Sequence, residues 1–160
     1  MKRPGLIVAL LMLIQSHSAA AGEKAQLSTV LSSGTPPAGV VFEIVGGDAD
    51  SLHAAIGRTQ TYRDQLRAKF PALQFEVITH GMEQFSLMKD KTEQYVALHR
   101  QVRSLARDQN TPLMVCGAFA DMNGVSKNDF PDFVTVTDQA PAAIEDYRYR
   151  GFTVIEMDMR

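Results

Sequence analysis

A chain of 160 residues in which 45% of side chains are hydrophobic can build one domain with its own core, and not comfortably two. Sixteen Lys and Arg against eighteen Asp and Glu give a formal charge of −2, which argues against nucleic acid as a partner, because phosphate binding needs a concentrated basic face. A single cysteine excludes an internal disulfide and a Cys-x-x-Cys exchange site.

The chain begins "MKRPGLIVALLMLIQSHSAAAGEK". Lys2 and Arg3 precede an apolar run from Leu6 to Ile14, and Ala19 to Ala21 supply the small residues of a signal-peptidase site. Residues 1–21 are therefore expected to be an export signal cleaved before Gly22, which places the protein in the periplasm or outside the cell. The apolar run falls well short of the roughly 20 residues of a permanent membrane span, and a retained anchor is the weaker reading. No cysteine flanks the cleavage point, so a lipoprotein anchor is excluded there, and no other window is apolar enough to cross a membrane. Residues 22–37, rich in Ser, Gly and Pro, are expected to form a flexible leader ahead of a domain spanning 38–160.

The domain opens with "GVVFEIVGG", a β-rich run closed by two glycines, with a first strand over Val40–Val45. Leu52, Ile56, Leu66 and Phe70 then recur at helical spacing, with Asp48 or Asp50 as the cap. "LQFEVITHG" is a second strand ending at His80-Gly81, and "MEQFSLMKDK" is a loop or short helix. Tyr95, Leu98, Val102 and Leu105 form the stripe of a second helix, with Thr92 as its cap. His99 lies on that helix as an ordinary surface residue. Arg100, Arg103 and Arg107 share one helical face, which reads as a solvated face.

"TPLMVCG" is a third strand, short and continuously apolar, as a strand covered on both faces should be. A short helix ends at Asn123-Gly124. "DFVTVTD" is a fourth strand, "APAAIEDYRYRG" a helix with Pro141 in its first turn and Gly151 as its stop, and "FTVIEM" a fifth strand.

Alternating strands and helices predict an α/β fold, a three-layer sandwich around a mainly parallel five-stranded sheet. Ligands of such sheets gather beyond the carboxyl ends of the strands. Gly46-Gly47, His80-Gly81 and Cys116-Gly117 meet there. Gly46, Gly47, Gly81 and Gly117 are thus candidate ligand-binding positions, although the first pair is more simply a turn. No G-x-G-x-x-G, Walker lysine, G-x-S-x-G or His-x-x-x-His pattern occurs, so neither a nucleotide cofactor nor a metal is expected. Cys116 precedes a helix start, where free N–H groups and the helix dipole stabilise a thiolate. Such a thiolate attacks a sulfane sulfur or a carbonyl, with His80 exchanging the proton if the two strands are neighbours. A buried structural cysteine is an equally common outcome for a lone Cys at a strand end, and a turn-ordering role is the plainer reading of His80. No acid to orient His80 is evident.

Four segments carry a resemblance to a known family: "VVFEIVGG", "VITHGMEQFSLM", "LMVCGAFADMNGVSKNDF" and "VTVTDQAPAAIEDYRYRGFTVIEM". From about Val40 onward the chain resembles the DsrE/DsrF-like family of sulfur-relay proteins. That resemblance implies a compact α/β layer assembled as a homo-oligomer, a trimer or a hexamer of trimers, with sulfane sulfur carried on a cysteine at the position of Cys116. It also implies a sulfur donor or acceptor protein as partner. The expected function is that of a periplasmic sulfur carrier or sulfurtransferase; the competing expectation is a non-catalytic module binding a small ligand or partner. A cysteine hydrolase is a third and weaker reading.

Overall fold

A computed structural model describes residues 19–159, with side chains from residue 22 onward. Residues 1–18 of the expected signal lie outside the described residues. The elements are helix α1 (Ala19–Ser32), strand β1 (Gly39–Ile44), helix α2 (Ala49–Lys69), strand β2 (Gln74–Thr79), helix α3 (Val96–Arg103), strand β3 (Leu113–Cys116), helix α4 (Gly117–Met122), strand β4 (Val134–Thr137), helix α5 (Ala140–Tyr149) and strand β5 (Phe152–Met157). The five strands form one sheet in the order β4-β3-β2-β1-β5, and every pairing is parallel. The expected α/β architecture is what the chain adopts.

Alternate residues of the central strands supply the two cores. Val40, Phe42 and Ile44 of β1, with Phe75 and Val77 of β2, pack against Leu52, Ile56 and Leu66 of α2 and Leu98 and Val102 of α3. On the opposite face, Val41, Ile78 and Cys116 pack against Ala140, Ile144 and Tyr147 of α5. Burial on both faces accounts for the unbroken apolar run of β3 and for the apolar run Val40 to Phe42 of β1. The Asp48 side chain caps α2 by accepting the Ser51 N–H at 2.8 Å, and Gly151 leaves α5 at φ 85, a conformation that disfavours any residue with a Cβ.

Three local expectations need correction. Residues 22–32 are not a mobile leader but the body of α1, whose Leu27 and Val30 enter the main core. Polar side chains complete that docking. Gln26 accepts the Glu156 N–H at 2.9 Å, and Glu23 accepts the Asp158 N–H at 2.6 Å. Glu23 also receives Arg58 Nε at 3.1 Å. Helix α1 therefore satisfies outward-facing amides at and just beyond the edge strand β5, a position that would otherwise invite pairing with another chain.

The second correction concerns the segment before α3. Thr92 does not cap it; Met82–Leu87 and Lys89–Lys91 are 3₁₀ turns, and the α-helix starts only at Val96. Third, His99 is 4% exposed rather than on the surface. One imidazole nitrogen, Nε2, lies 2.9 Å from the Ser86 carbonyl and the other 3.3 Å from the Thr92 hydroxyl, so the ring ties α3 to both 3₁₀ turns.

Candidate functional site

The carboxyl edge of the sheet brings Cys116 and His80 onto neighbouring strands. The β2–β3 register pairs Thr79 with Val115, so the next step along both chains sets His80 beside Cys116. Alternation of side chains places both on the α5 face, the face of Ile78 and Met114. Glu43, two residues beyond Val41 on β1, shares that face.

Glu43 is the acid that sequence reasoning missed. Its Oε1 lies 2.9 Å from His80 Nε2, with both side chains mostly shielded from solvent, at 18% and 17% exposure. Arg148 of α5 approaches the other carboxylate oxygen at 4.0 Å. A carboxylate can only accept, so Nε2 carries the proton in this pair and Nδ1 is left to take or give another. The signal was present in "GVVFEI": Glu43 is the single charged residue of an otherwise apolar, doubly covered strand.

Cys116 is 5% exposed and belongs to the α5-side core. Its Sγ accepts the Ala140 N–H at 3.4 Å, from the first residue of α5. That amide is one of the donors a helix leaves unpaired at its start. No hydrogen bond joins Cys116 to His80; register makes them neighbours, and the Sγ partner is the helix amide.

The Cys116 backbone is held by a residue that sequence reasoning left in an unassigned loop. Gln84, fully buried, accepts the Cys116 N–H at 2.9 Å through Oε1 and donates to the Cys116 carbonyl at 3.2 Å through Nε2. One side-chain amide thereby replaces the ladder bonds that a longer β2 would have made. Glu83, also fully buried, accepts the Gly46 N–H at 2.7 Å and the Gly81 N–H at 2.9 Å, and the Thr79 hydroxyl donates to it. The consecutive pair Glu83-Gln84 ties the ends of β1, β2 and β3 together.

Those bonds change the meaning of the glycines. The amides of Gly46 and Gly81, expected to face a ligand, are occupied by the Glu83 carboxylate. A Cβ on Gly81 would lie 2.5 Å from the Gly46 carbonyl oxygen, so the two loops require glycine for their close approach. A Cβ on Gly117 would meet the Thr137 carbonyl oxygen at 2.8 Å, which makes it a packing glycine between β3 and β4. Gly47 is exposed, with nothing within 4 Å of where its Cβ would be. Among the described residues, no three His, Cys, Asp or Glu side chains group in a way that could hold a metal ion. No helix among them is long and apolar enough to cross a membrane.

At the amino end of the same face, burial pushes the Glu76 carboxyl up to about 7, more than the Tyr147 hydroxyl and the Arg150 charge beside it pull it down. Arg150 stacks over the Tyr147 ring at 4.4 Å and the Phe152 ring at 5.2 Å. This cluster lies at the opposite end of the strands from Cys116.

The architecture defines an all-parallel α/β sandwich with a strand-end cysteine. No protein-family model matches the chain, and no curated protein matches it. Among solved structures it is similar to MTH1491 from Methanobacterium thermoautotrophicum, a protein of unknown function, at a TM-score of 0.58 and 20% identity. The match covers 73% of this chain and 96% of that one, and it supports the fold alone.

Proposed function

We propose that the protein is an exported, periplasmic sulfane-sulfur carrier of the DsrE/DsrF-like kind, with Cys116 as the acceptor. The observation that carries this reading is the Ala140 N–H directed at Cys116 Sγ from the start of α5. In the step envisaged, the Cys116 thiolate attacks the outer, sulfane sulfur of a donor such as thiosulfate. A new S–S bond forms, the donor's S–S bond breaks, and sulfite leaves with the electron pair. The thiol proton passes to His80, whose orientation is set by Glu43. Burial at 5% exposure favours a small donor anion over direct attack on a bulky one. Assembly with further copies of the chain and exchange with a donor or acceptor protein belong to the same reading.

A second reading rests on that same burial. Cys116 packs among Val41, Ile78 and Ile144 as a small core residue, and the protein is then a non-catalytic module that binds a small ligand or partner.

The test is intact-mass analysis after incubation with polysulfide, or with thiosulfate, alongside a protein known to load. Gain of about 32 Da, one sulfur atom, on the native chain and none on Cys116→Ser supports the carrier. An unmodified native chain under donors that load the control refutes it and leaves the binding module.

A further inference from the structure

The three arginines that read as a solvated helical face line a groove. Residues of α2 and α3, together with the segment after α3, enclose about 740 Å³, with Arg100, Arg103 and Arg107 along one side and His53 and Gln60 along the other. From Ala97 to Asp108 the α3 side runs about 16 Å at 1.5 Å per residue, enough for several residues of extended chain. A smaller hollow of about 180 Å³ shares His53 and Ala97 with the groove and carries it on to Asp50 and Tyr95.

The charges in the groove are unevenly matched. Arg107 is paired with Asp132 at 2.7 Å. Arg103 lies over the Phe133 ring, 5.1 Å from its centre, a cation–π contact that leaves its N–H groups free of any carboxylate. Among the described residues no carboxylate pairs with Arg100 or Arg103. Asp108 also lines the groove, so with Arg107 paired the local excess of positive charge rests on Arg100 and Arg103, inside a concave surface where field lines are focused.

Gln101 also lines the groove, and its Nε2 donates across it to Gln60 of α2 at 3.0 Å, which fixes the spacing of the two walls. In addition, the groove wall is finished by a π-helical turn over Ser104–Asp108, closed by a bond from the Gln109 N–H to the Ser104 carbonyl at 3.1 Å. Such turns are rare and are frequently found at functional sites.

We infer that this groove is a docking site for an acidic segment of a partner protein, with its carboxylates on Arg100 and Arg103. The surface is independent of Cys116 and stands whether or not that thiol carries sulfur.

The experiment is an amide-shift titration of the isotope-labelled full chain with an oligoglutamate peptide at low salt, with oligoglutamine, inorganic phosphate and a mixed-sequence DNA duplex as parallel probes. Saturating shifts confined to α2, α3 and the turn after it are expected for oligoglutamate. Arg100→Glu, a change at an exposed side chain, is expected to weaken that binding by about tenfold, and added salt to weaken it further. Shifts that lie elsewhere, no binding at millimolar peptide, an unchanged affinity in Arg100→Glu, or equal binding of phosphate or DNA would each overturn the assignment.

Discussion

Replacing Gln84 by alanine tests whether one side chain holds the strand end that carries the thiol. The substitution strips the Cys116 N–H and C=O of their partners at 2.9 and 3.2 Å, in a place where Gln84 itself has no exposure. Each buried backbone group left unpaired costs about 1–3 kcal/mol, and water entering the vacated space recovers part of it. A loss of about 3 kcal/mol is expected, which lowers the urea midpoint by about 1.5 M at a slope of about 2 kcal/mol per molar. Gln84→Leu separates the two contributions, because it refills the volume while leaving both groups unpaired; it should recover less than half of the loss. Hydrogen exchange at the Cys116 amide gives a local readout and should accelerate in both variants. A loss under about 1 kcal/mol with an unchanged Cys116 exchange rate would show that the strand end is held by something else, and the reasoning would fail.

Glu23→Ala should destabilise the fold by about 2 kcal/mol in chemical denaturation, below the 3–5 kcal/mol of a fully buried pair because Arg58 is one-third exposed and can hydrate. The Asp158 amide should lose its protection, and full retention of both stability and protection would return α1 to the status of a loose leader. Glu76 has its folded-state pKa raised to about 7 from an ordinary 4.5, so the native state holds a proton that the unfolded state has already released. Stability should therefore fall as pH rises between about 4.5 and 7, by about 1–2 kcal/mol after allowance for partial exposure. Glu76→Gln should abolish that slope and be more stable than the native chain at pH 8; an identical pH profile in the variant would refute the shift.

What the sequence made legible was whatever local periodicity encodes. The first three strands stood out as apolar runs closed by glycine, and the alternation of all five with helices implied parallel pairing, which in turn put His80 and Cys116 at one edge. Glu43, Glu83 and Gln84 stayed hidden for a different reason: each is polar within or beside an apolar element, and the group it satisfies lies on another strand. A buried polar side chain looks like a surface one until its partner is known. The same holds for α1, where only Leu27 and Val30 mark an inner face and the remaining anchors are side chains meeting the far end of the chain. His99 was misread because its helix docks onto 3₁₀ turns that no pattern announced.

The bond from the Asp158 N–H to Glu23 joins residues 135 positions apart. Contacts of such separation close the largest loops and tend to form late, so this edge of the sheet is sealed only after residue 158 has reached it. For a chain exported in the manner proposed, α1 emerges ahead of β5 and waits for it, so that edge is closed by the later of the two partners.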